Sequence, residues 1–165
     1  MDFLKKSSAL TEKPPHAIIH LSESKFLLKK GNKITMIKET VLLFNFQDRT
    51  QLRKLEMLLL PMKIRLKKVA KEDYLKPLGS FVNSPDVTFS DTCYDGEELP
   101  APMIVFVNLP GSRLDTILAG MRRNKIGPIP HKAILTQTNQ HWNVLQCFKE
   151  IDAEHKAMTE SSSLS

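Results

Sequence analysis

Hydrophobic positions divide the chain into two similar halves. Residues 40–46 and 103–109 are apolar at both alternating sets of positions, as is typical of a strand covered on two faces. A turn follows each run, and then apolar residues at helical spacing: Leu52, Leu55, Leu58, Leu59 and Met62 in the first half, and Leu114, Ile117, Leu118 and Met121 in the second. A further strand is predicted after each helix, at residues 64–69 and 132–137. The pattern therefore predicts two β-α-β units of similar length.

The two units align with each other without gaps over their first strands. Val41 to Phe46 matches Ile104 to Leu109, which places Asn45 opposite Asn108. In the helices this alignment places Leu55 opposite Leu118 and Leu58 opposite Met121, all of them apolar. We interpret the match as a pseudo-duplication, although few residues are identical and the same physical constraints could produce it without common ancestry.

A last helix is predicted to begin at Thr138 or Asn139, with Val144, Leu145, Cys147, Phe148 and Ile151 on one side. In a regular helix Trp142 would lie roughly 150° from that stripe, at about 100° per residue, and a buried tryptophan is the preferred interpretation. The simplest fold is an α/β, ferredoxin-like two-layer sandwich; the alternative is a small three-layer, mostly parallel sheet. Two layers would leave one apolar sheet face open, so we expect the last helix to cover part of it and a homodimer to be plausible.

The segments on either side of the domain differ from it in composition. Residues 1–35 show no sustained period and are interpreted either as a disordered basic leader or as sequence before a true start at Met36. Residues 36–157 form the predicted single domain. Within it, residues 79–101 contain Gly, Pro and acidic residues and are predicted to be a mobile acidic linker. Residues 158–165 are expected to fray.

The net charge of +6 is unevenly distributed. Residues 1–38 hold eight lysines against three acidic residues, whereas residues 39–165 hold 16 basic and 15 acidic residues. The folded part is therefore nearly neutral, which argues against a nucleic-acid site in the domain. No apolar run approaches the roughly 20 residues of a membrane helix. Cys93 and Cys147 lack paired spacing, which favours reduced thiols and a cytoplasmic location.

Polar residues at the predicted strand ends form the candidate ligand site. In α/β sheets ligands bind outside the carboxyl ends of strands, where the free amides of a following helix attract anions. If the three strand ends meet at one rim, the candidates are Asn45, Asn108, Thr136, Thr138 and Asn139, with Trp142 as a wall. Helix capping and Asx turns are the alternative explanation of these residues. The corner at residues 127–130, Gly-Pro-Ile-Pro, is at the opposite end of its strand and is interpreted as scaffolding.

Other chemistry has weaker support. Arg113, Arg122, Arg123 and Lys125 form a candidate basic edge for RNA or an acidic partner, with a solvated helix face as the alternative. There is no glycine-rich phosphate loop, and Cys93, His131, His141 and Cys147 lack metal-ligand spacing. We therefore expect no cofactor, no metal and no catalytic residues.

Several stretches resemble a family of small, uncharacterised bacterial proteins, a domain of unknown function. They are residues 42–46, 73–79 and 102–106, and most clearly Gly127-Pro128-Ile129-Pro130 with residues 132–139 and Trp142. The resemblance covers residues 36 to about 157 and implies a start near Met36, but it brings no activity. The sequence thus favours a cytosolic, non-enzymatic binding or regulatory module for a protein partner or small ligand. The alternatives are an RNA-binding module or an enzyme of unknown class.

Overall fold

A mixed sheet forms the centre of the molecule. The computed structural model describes residues 18–19, 27–30 and 33–163. The strands in chain order are β1 (Ile18–Ile19), β2 (Leu27–Lys30), β3 (Lys33–Met36), β4 (Thr40–Phe44), β5 (Arg65–Val69), β6 (Met103–Val107) and β7 (His131–Ile134). The sheet has the order β1-β7-β6-β4-β5, and β2 pairs with β3 in a separate antiparallel hairpin.

Three α-helices accompany the sheet: α1 (Arg49–Leu59), α2 (Gly111–Arg123) and α3 (Val144–Ser163). The two predicted units, β4-α1-β5 and β6-α2-β7, and the C-terminal helix are confirmed. Within each unit the two strands are direct, parallel neighbours. The finer ferredoxin-like description is not confirmed, because a split β-α-β unit has another strand between its two strands.

The two units are related by a pseudo-twofold axis. β4 and β6 pair antiparallel, with Leu42 opposite Val105 at the centre of the register. Leu58 and Gly120 also meet between the helices: a Cβ at Gly120 would lie 2.5 Å from Leu58 Cδ1. Each residue of α1 therefore corresponds to the residue 62 positions later in α2, whereas in the strands β4 and β6 the offset is 63 positions.

The shift of one residue corrects part of the sequence alignment. The buried Leu55 corresponds to the buried Ile117, and not to the half-buried Leu118. Met121 corresponds to the buried Leu59, and not to Leu58. Lys63 and Lys125 then both take a positive φ just after their helices. The residue after each, Ile64 or Ile126, donates its amide to the last turn of its helix.

The Gly-Pro-Ile-Pro corner is an insertion in the second unit. Ile64 and Ile126 are equivalent, but the next equivalent pair is Arg65 and His131, which begin β5 and β7. Residues 127–130 thus have no counterpart in the first unit. Ile129 is buried in the core, and the Gly127 amide donates to Gln51 Oε1 at 3.0 Å, which supports the interpretation of the corner as scaffolding.

The sheet is covered on both faces, so the protein has three layers. One core lies beneath α1 and α2 and includes Val41, Leu43, Ile104 and Phe106. The other core contains Leu42, Phe44, Val105 and the inner face of α3, with Val144, Cys147, Phe148 and Ile151. The expected cover by the last helix is confirmed. The open apolar face that favoured a homodimer is not present, and dimerisation stays a prediction.

Residues 70–102, which contain the predicted linker, also pack on the α3 side of the sheet. They form 3-10 turns at Lys71–Asp73 and Leu78–Val82, and contribute Tyr74, Leu78, Phe81 and Leu99 to the core. The Leu78 amide donates to the Trp142 carbonyl, and the Val144 amide donates to the Tyr74 carbonyl. The segment is therefore an integral layer of the fold, and its mobility stays a prediction.

The prediction of one helix from Thr138 or Asn139 is wrong. Asn139–His141 form a single 3-10 turn, Trp142 is extended (φ −77°, ψ 141°), and α3 begins at Val144. The physical reason is a second cap: Asn143 Oδ1 accepts the amide of Gln146 at 2.8 Å and starts a new helix. The estimated angle of Trp142 from the apolar stripe therefore does not apply.

The structure describes only part of the predicted leader and of the predicted C-terminal tail. β1, β2 and most of β3 fall within the predicted leader, and β1 pairs with β7 at the sheet edge. The rest of residues 1–35 lies outside the described residues, so the leader and the start at Met36 stay predictions. α3 continues to Ser163, through most of the segment expected to fray.

Candidate functional site

The predicted ligand rim is divided between two opposite edges of the sheet. Because β4 and β6 are antiparallel, the carboxyl end of β4 lies beside the start of β6. Asn45 is therefore at one edge, whereas Asn108 is at the other, with Thr136 after the parallel strand β7. The prediction of one shared rim is wrong, because it assumed that all three strands run in the same direction.

Asn45 and Asn108 play equivalent structural roles. Both follow a central strand in the left-handed region, with φ of 53° and 56°. The Asn45 side-chain amide donates to the Leu99 carbonyl at 2.8 Å, and that of Asn108 donates to the Ile37 carbonyl. Each asparagine thus fixes the chain that enters the other unit's first strand. The backbone of both residues agrees with the alternative explanation, a local turn, because asparagine tolerates a positive φ.

Thr136 and Asn139 bind each other. The Thr136 amide donates to Asn139 Oδ1 at 2.7 Å, and the Asn139 amide donates to Thr136 Oγ1 at 3.0 Å. Asn139 Nδ2 also donates to the Ile134 carbonyl, and both residues are buried. Thr138 is exposed, and Trp142 is half-buried against the core. These contacts support a structural turn at this edge instead of a ligand site.

The candidate basic edge also separates into two parts. Arg113, at the start of α2, forms an ion pair with Glu39 (Nε–Oε1 2.8 Å) and donates to the Met62 carbonyl at 2.6 Å. Arg122, Arg123 and Lys125 lie at the other end of the 13-residue helix and are exposed. Arg113 therefore links the two units and does not form a surface with the other three.

A cleft of about 390 Å³ lies at the carboxyl ends of the neighbouring parallel strands β4 and β5. Its apolar lining is Leu43, Phe46, Val69 and Ala70, and its polar lining is Asn45, Gln47, Lys68, Lys71 and Glu98. Gln47 Nε2 donates to Asn45 Oδ1 at 3.1 Å. With two lysines and one glutamate, the cleft carries a net charge of +1.

The Glu98 side chain is fixed at the border of the cleft by a core tyrosine. Glu98 Oε1 accepts the Tyr74 hydroxyl at 2.5 Å and the Leu99 amide at 2.9 Å. Burial, and then the hydrogen bond to Glu98, raise the pKa of the Tyr74 phenol well above its ordinary value. Tyr74 therefore remains a protonated donor at neutral pH and holds the carboxylate in place.

Other titratable groups of interest have structural explanations. Burial raises the pKa of the Cys147 thiol to about 12, which supports its interpretation as inert packing. Burial, and secondly Arg122, lower the pKa of Lys132 to about 8, and its ammonium donates to the Ile129 carbonyl. His131 Nε2 lies 2.9 Å from Asp152 Oδ1, while its ring stacks on Phe148. Within the part of the chain that the structure describes, no three His, Cys, Asp or Glu residues could hold a metal ion together.

Asn45 is the only residue of this cleft among the candidates predicted from the sequence. Gln47, Lys68, Lys71 and Glu98 were not among them, although Lys68 and Lys71 are cations at the end of a predicted strand. Their significance depends on β5 being the direct parallel neighbour of β4, and that strand order was not available. Glu98 was assigned to a mobile linker, and its fixed position depends on Tyr74.

Comparison with known families gives one match. Residues 102–158 match the family model of a domain of unknown function, DUF3783. This part of the chain, from the start of β6 into α3, confirms the resemblance to a small uncharacterised family. No curated protein and no solved structure matches the chain. All of the residues that line the cleft precede the matched region.

Among the described residues, no helix is both long enough and apolar enough to cross a membrane.

Proposed function

We propose that the protein is a cytosolic, non-enzymatic binding module that holds a small anionic ligand in the cleft between β4 and β5. The position of the cleft carries the proposal: it opens at the carboxyl ends of two parallel neighbours and contains Lys68 and Lys71. In α/β sheets this is where ligands bind, because the loops that leave the strands diverge there. A volume of about 390 Å³ lies within the range of small-molecule pockets.

The charges define the class of ligand. Two ammonium groups favour a carboxylate or a phosphate, which lysine binds as a point charge. Glu98 is held at the border by Tyr74 and would repel a second negative group. A ligand with one anionic group and a hydrogen-bond donor therefore fits best. The apolar lining from Leu43, Phe46 and Val69 accommodates a short carbon skeleton between these groups.

Thermal unfolding with simple probes tests the proposal. A ligand that binds only the folded state raises the Tm, and the stabilisation grows with the logarithm of one plus the ratio of its concentration to its Kd. We expect inorganic phosphate or acetate to raise the Tm relative to chloride at equal ionic strength, and the more effective probe identifies the anionic group. The double variant Lys68→Glu/Lys71→Glu should lose this increase entirely.

The matched control is Lys125→Glu/Lys149→Glu, which makes the same charge change at two exposed lysines outside the cleft. It should retain the full increase. An equal increase in both double variants would mean that the anions act on the protein in general, and the cleft would then not be the site.

A further inference from the structure

We propose that copies of this chain associate head to tail, with a basic patch on α1 of one copy against an acidic patch on residues 72–91 of the next. This inference does not depend on the ligand cleft. It rests on two surfaces of opposite charge, each with exposed apolar side chains, on opposite sides of the same sheet.

The basic patch lies on the outer surface of α1. Arg49, Arg53 and Lys54 line a shallow groove of about 440 Å³, together with Met57. Met57 is 67% exposed, and Leu60, one turn after Glu56, is 76% exposed. The first helix and its C-cap residue Leu60 thus present three cations and one carboxylate, Glu56, beside two large apolar side chains.

The acidic patch is formed by Glu72, Asp73, Leu75, Phe89 and Asp91. Phe89 is 51% exposed and Leu75 is 38% exposed. Lys76 contacts three residues of the patch. Its ammonium forms ion pairs with Asp73 at 2.8 Å and Asp91 at 3.2 Å, and lies 5.6 Å from the centre of the Phe89 ring. The patch therefore combines carboxylates with an aromatic ring on one surface of the molecule.

The two layers that cover the sheet are charged in the same way. The helical layer, residues 45–64 and 110–130, holds eight basic and three acidic residues, a net charge of +5. The opposite layer, residues 70–102 and 137–163, holds four basic and eleven acidic residues, a net charge of −7. The near-neutral total of the domain conceals this separation. Opposite potentials on two faces favour the approach of one copy's helical layer to another copy's acidic layer.

Exposed apolar side chains favour a second copy over other partners. Of the four large hydrophobic residues that are exposed in the described part of the chain, two belong to each patch. Single-stranded RNA would need aromatic rings to stack its bases, and the described helical layer exposes Met57 and Leu60 instead. Because the two patches lie on opposite sides of the sheet, the interface is heterologous and produces chains or closed rings.

Sedimentation velocity with two charge-reversed variants tests the proposal. The basic-patch variant is Arg49→Glu/Arg53→Glu/Lys54→Glu, and the acidic-patch variant is Glu72→Lys/Asp91→Lys. For the wild type we expect the average mass to rise with concentration at about 0.1 M salt, and the rise to be lost at about 1 M, where the Debye length is ~3 Å. Each variant alone should remain monomeric.

A mixture of the two variants gives the decisive result. The basic-patch variant then carries two acidic surfaces and the acidic-patch variant two basic surfaces, so the mixture should associate although neither variant associates alone. The matched control Arg122→Glu/Arg123→Glu/Lys125→Glu has the same charge change as the basic-patch variant and should still associate. Far-UV circular dichroism establishes that every variant is folded.

Three outcomes would overturn the proposal. They are a wild type that stays monomeric at all concentrations, a mixture that forms no complex, and a control variant that loses association as completely as the basic-patch variant. A monomeric wild type that binds polyuridine RNA, with loss of binding in the basic-patch variant, would instead assign α1 to nucleic acid.

Discussion

At the scale of single residues, polar side chains in this protein mostly hold segments of the fold together. Four candidate ligand residues form side-chain hydrogen bonds to backbone groups: Asn45, Asn108, Thr136 and Asn139. Their residue types were informative, because asparagine tolerates a positive φ and threonine caps turns. Whether such a group serves the fold or a ligand depends on its partner, and the partners of Asn45 and Asn108 lie 54 and 71 residues away.

Asp152 is predicted to stabilise the fold in a pH-dependent way. Hydrogen bonds from Lys156 and His131 lower the pKa of its carboxyl group below the ordinary value of 3.8. A group whose pKa is lower in the folded state stabilises that state above the unfolded pKa, and the contribution is lost as the pH falls through the folded pKa. We expect Asp152→Asn to cost on the order of 1 kcal/mol at pH 7, the value of a typical hydrogen bond.

Urea unfolding of Asp152→Asn and wild type across the acid range checks this prediction. The free energies of unfolding of the two proteins should converge once the pH is below the folded pKa of Asp152. The exposed Glu154→Gln on the same helix is the control and should differ little from wild type at pH 7. A cost for Asp152→Asn that stays constant down to the lowest pH would contradict the assigned role of its charge.

At the scale of elements, two β-α-β units share one plan and differ at one insertion. Strand β4 pairs with β6, and Leu58 of α1 meets Gly120 of α2, so the central strands and the helices contact their counterparts across the pseudo-twofold axis, whereas β5 and β7 lie on either side of the central pair. Sequence periodicity located all four strands of the two units and all three helices, because each has a regular apolar pattern. It aligned the two helices one residue out of register, because an alignment without gaps cannot account for a one-residue difference in the turns before them.

The pseudo-symmetry predicts matching effects for Asn45→Ala and Asn108→Ala. Each change removes a side-chain hydrogen bond to a carbonyl of the segment that enters the other unit, and leaves alanine in the left-handed region; together these cost about 2–3 kcal/mol. Chemical denaturation should give similar losses for both variants. Asn45→Gly and Asn108→Gly retain the backbone conformation and should each cost less than the alanine change.

Equivalence of the two positions fails if one alanine variant is as stable as wild type while the other is strongly destabilised. The glycine variants separate the two contributions. If glycine costs as much as alanine, the loss comes from the hydrogen bond alone and not from the backbone conformation.

At the scale of the whole molecule, strand direction and layer order determine which surfaces exist. The sequence was sufficient for the α/β class, the two units and the cover of the second sheet face by the last helix. It could not place Lys68 and Lys71 beside Gln47, because that depends on β5 being the parallel neighbour of β4. Nor could a net charge reveal that basic and acidic residues lie on opposite layers, since a sum over the chain does not depend on position.

A ¹H–¹⁵N NMR titration of the wild-type protein with phosphate and with acetate tests the central claim most directly. If the cleft between β4 and β5 binds a small anion, the amides of residues 45–47 and 68–71 should shift in a saturable manner with at least one of these anions. The amides of residues 136–139, at the opposite edge of the sheet, should not move. Saturable shifts confined to residues 136–139 or to α1, or no saturable shift with either anion, would contradict the proposed site.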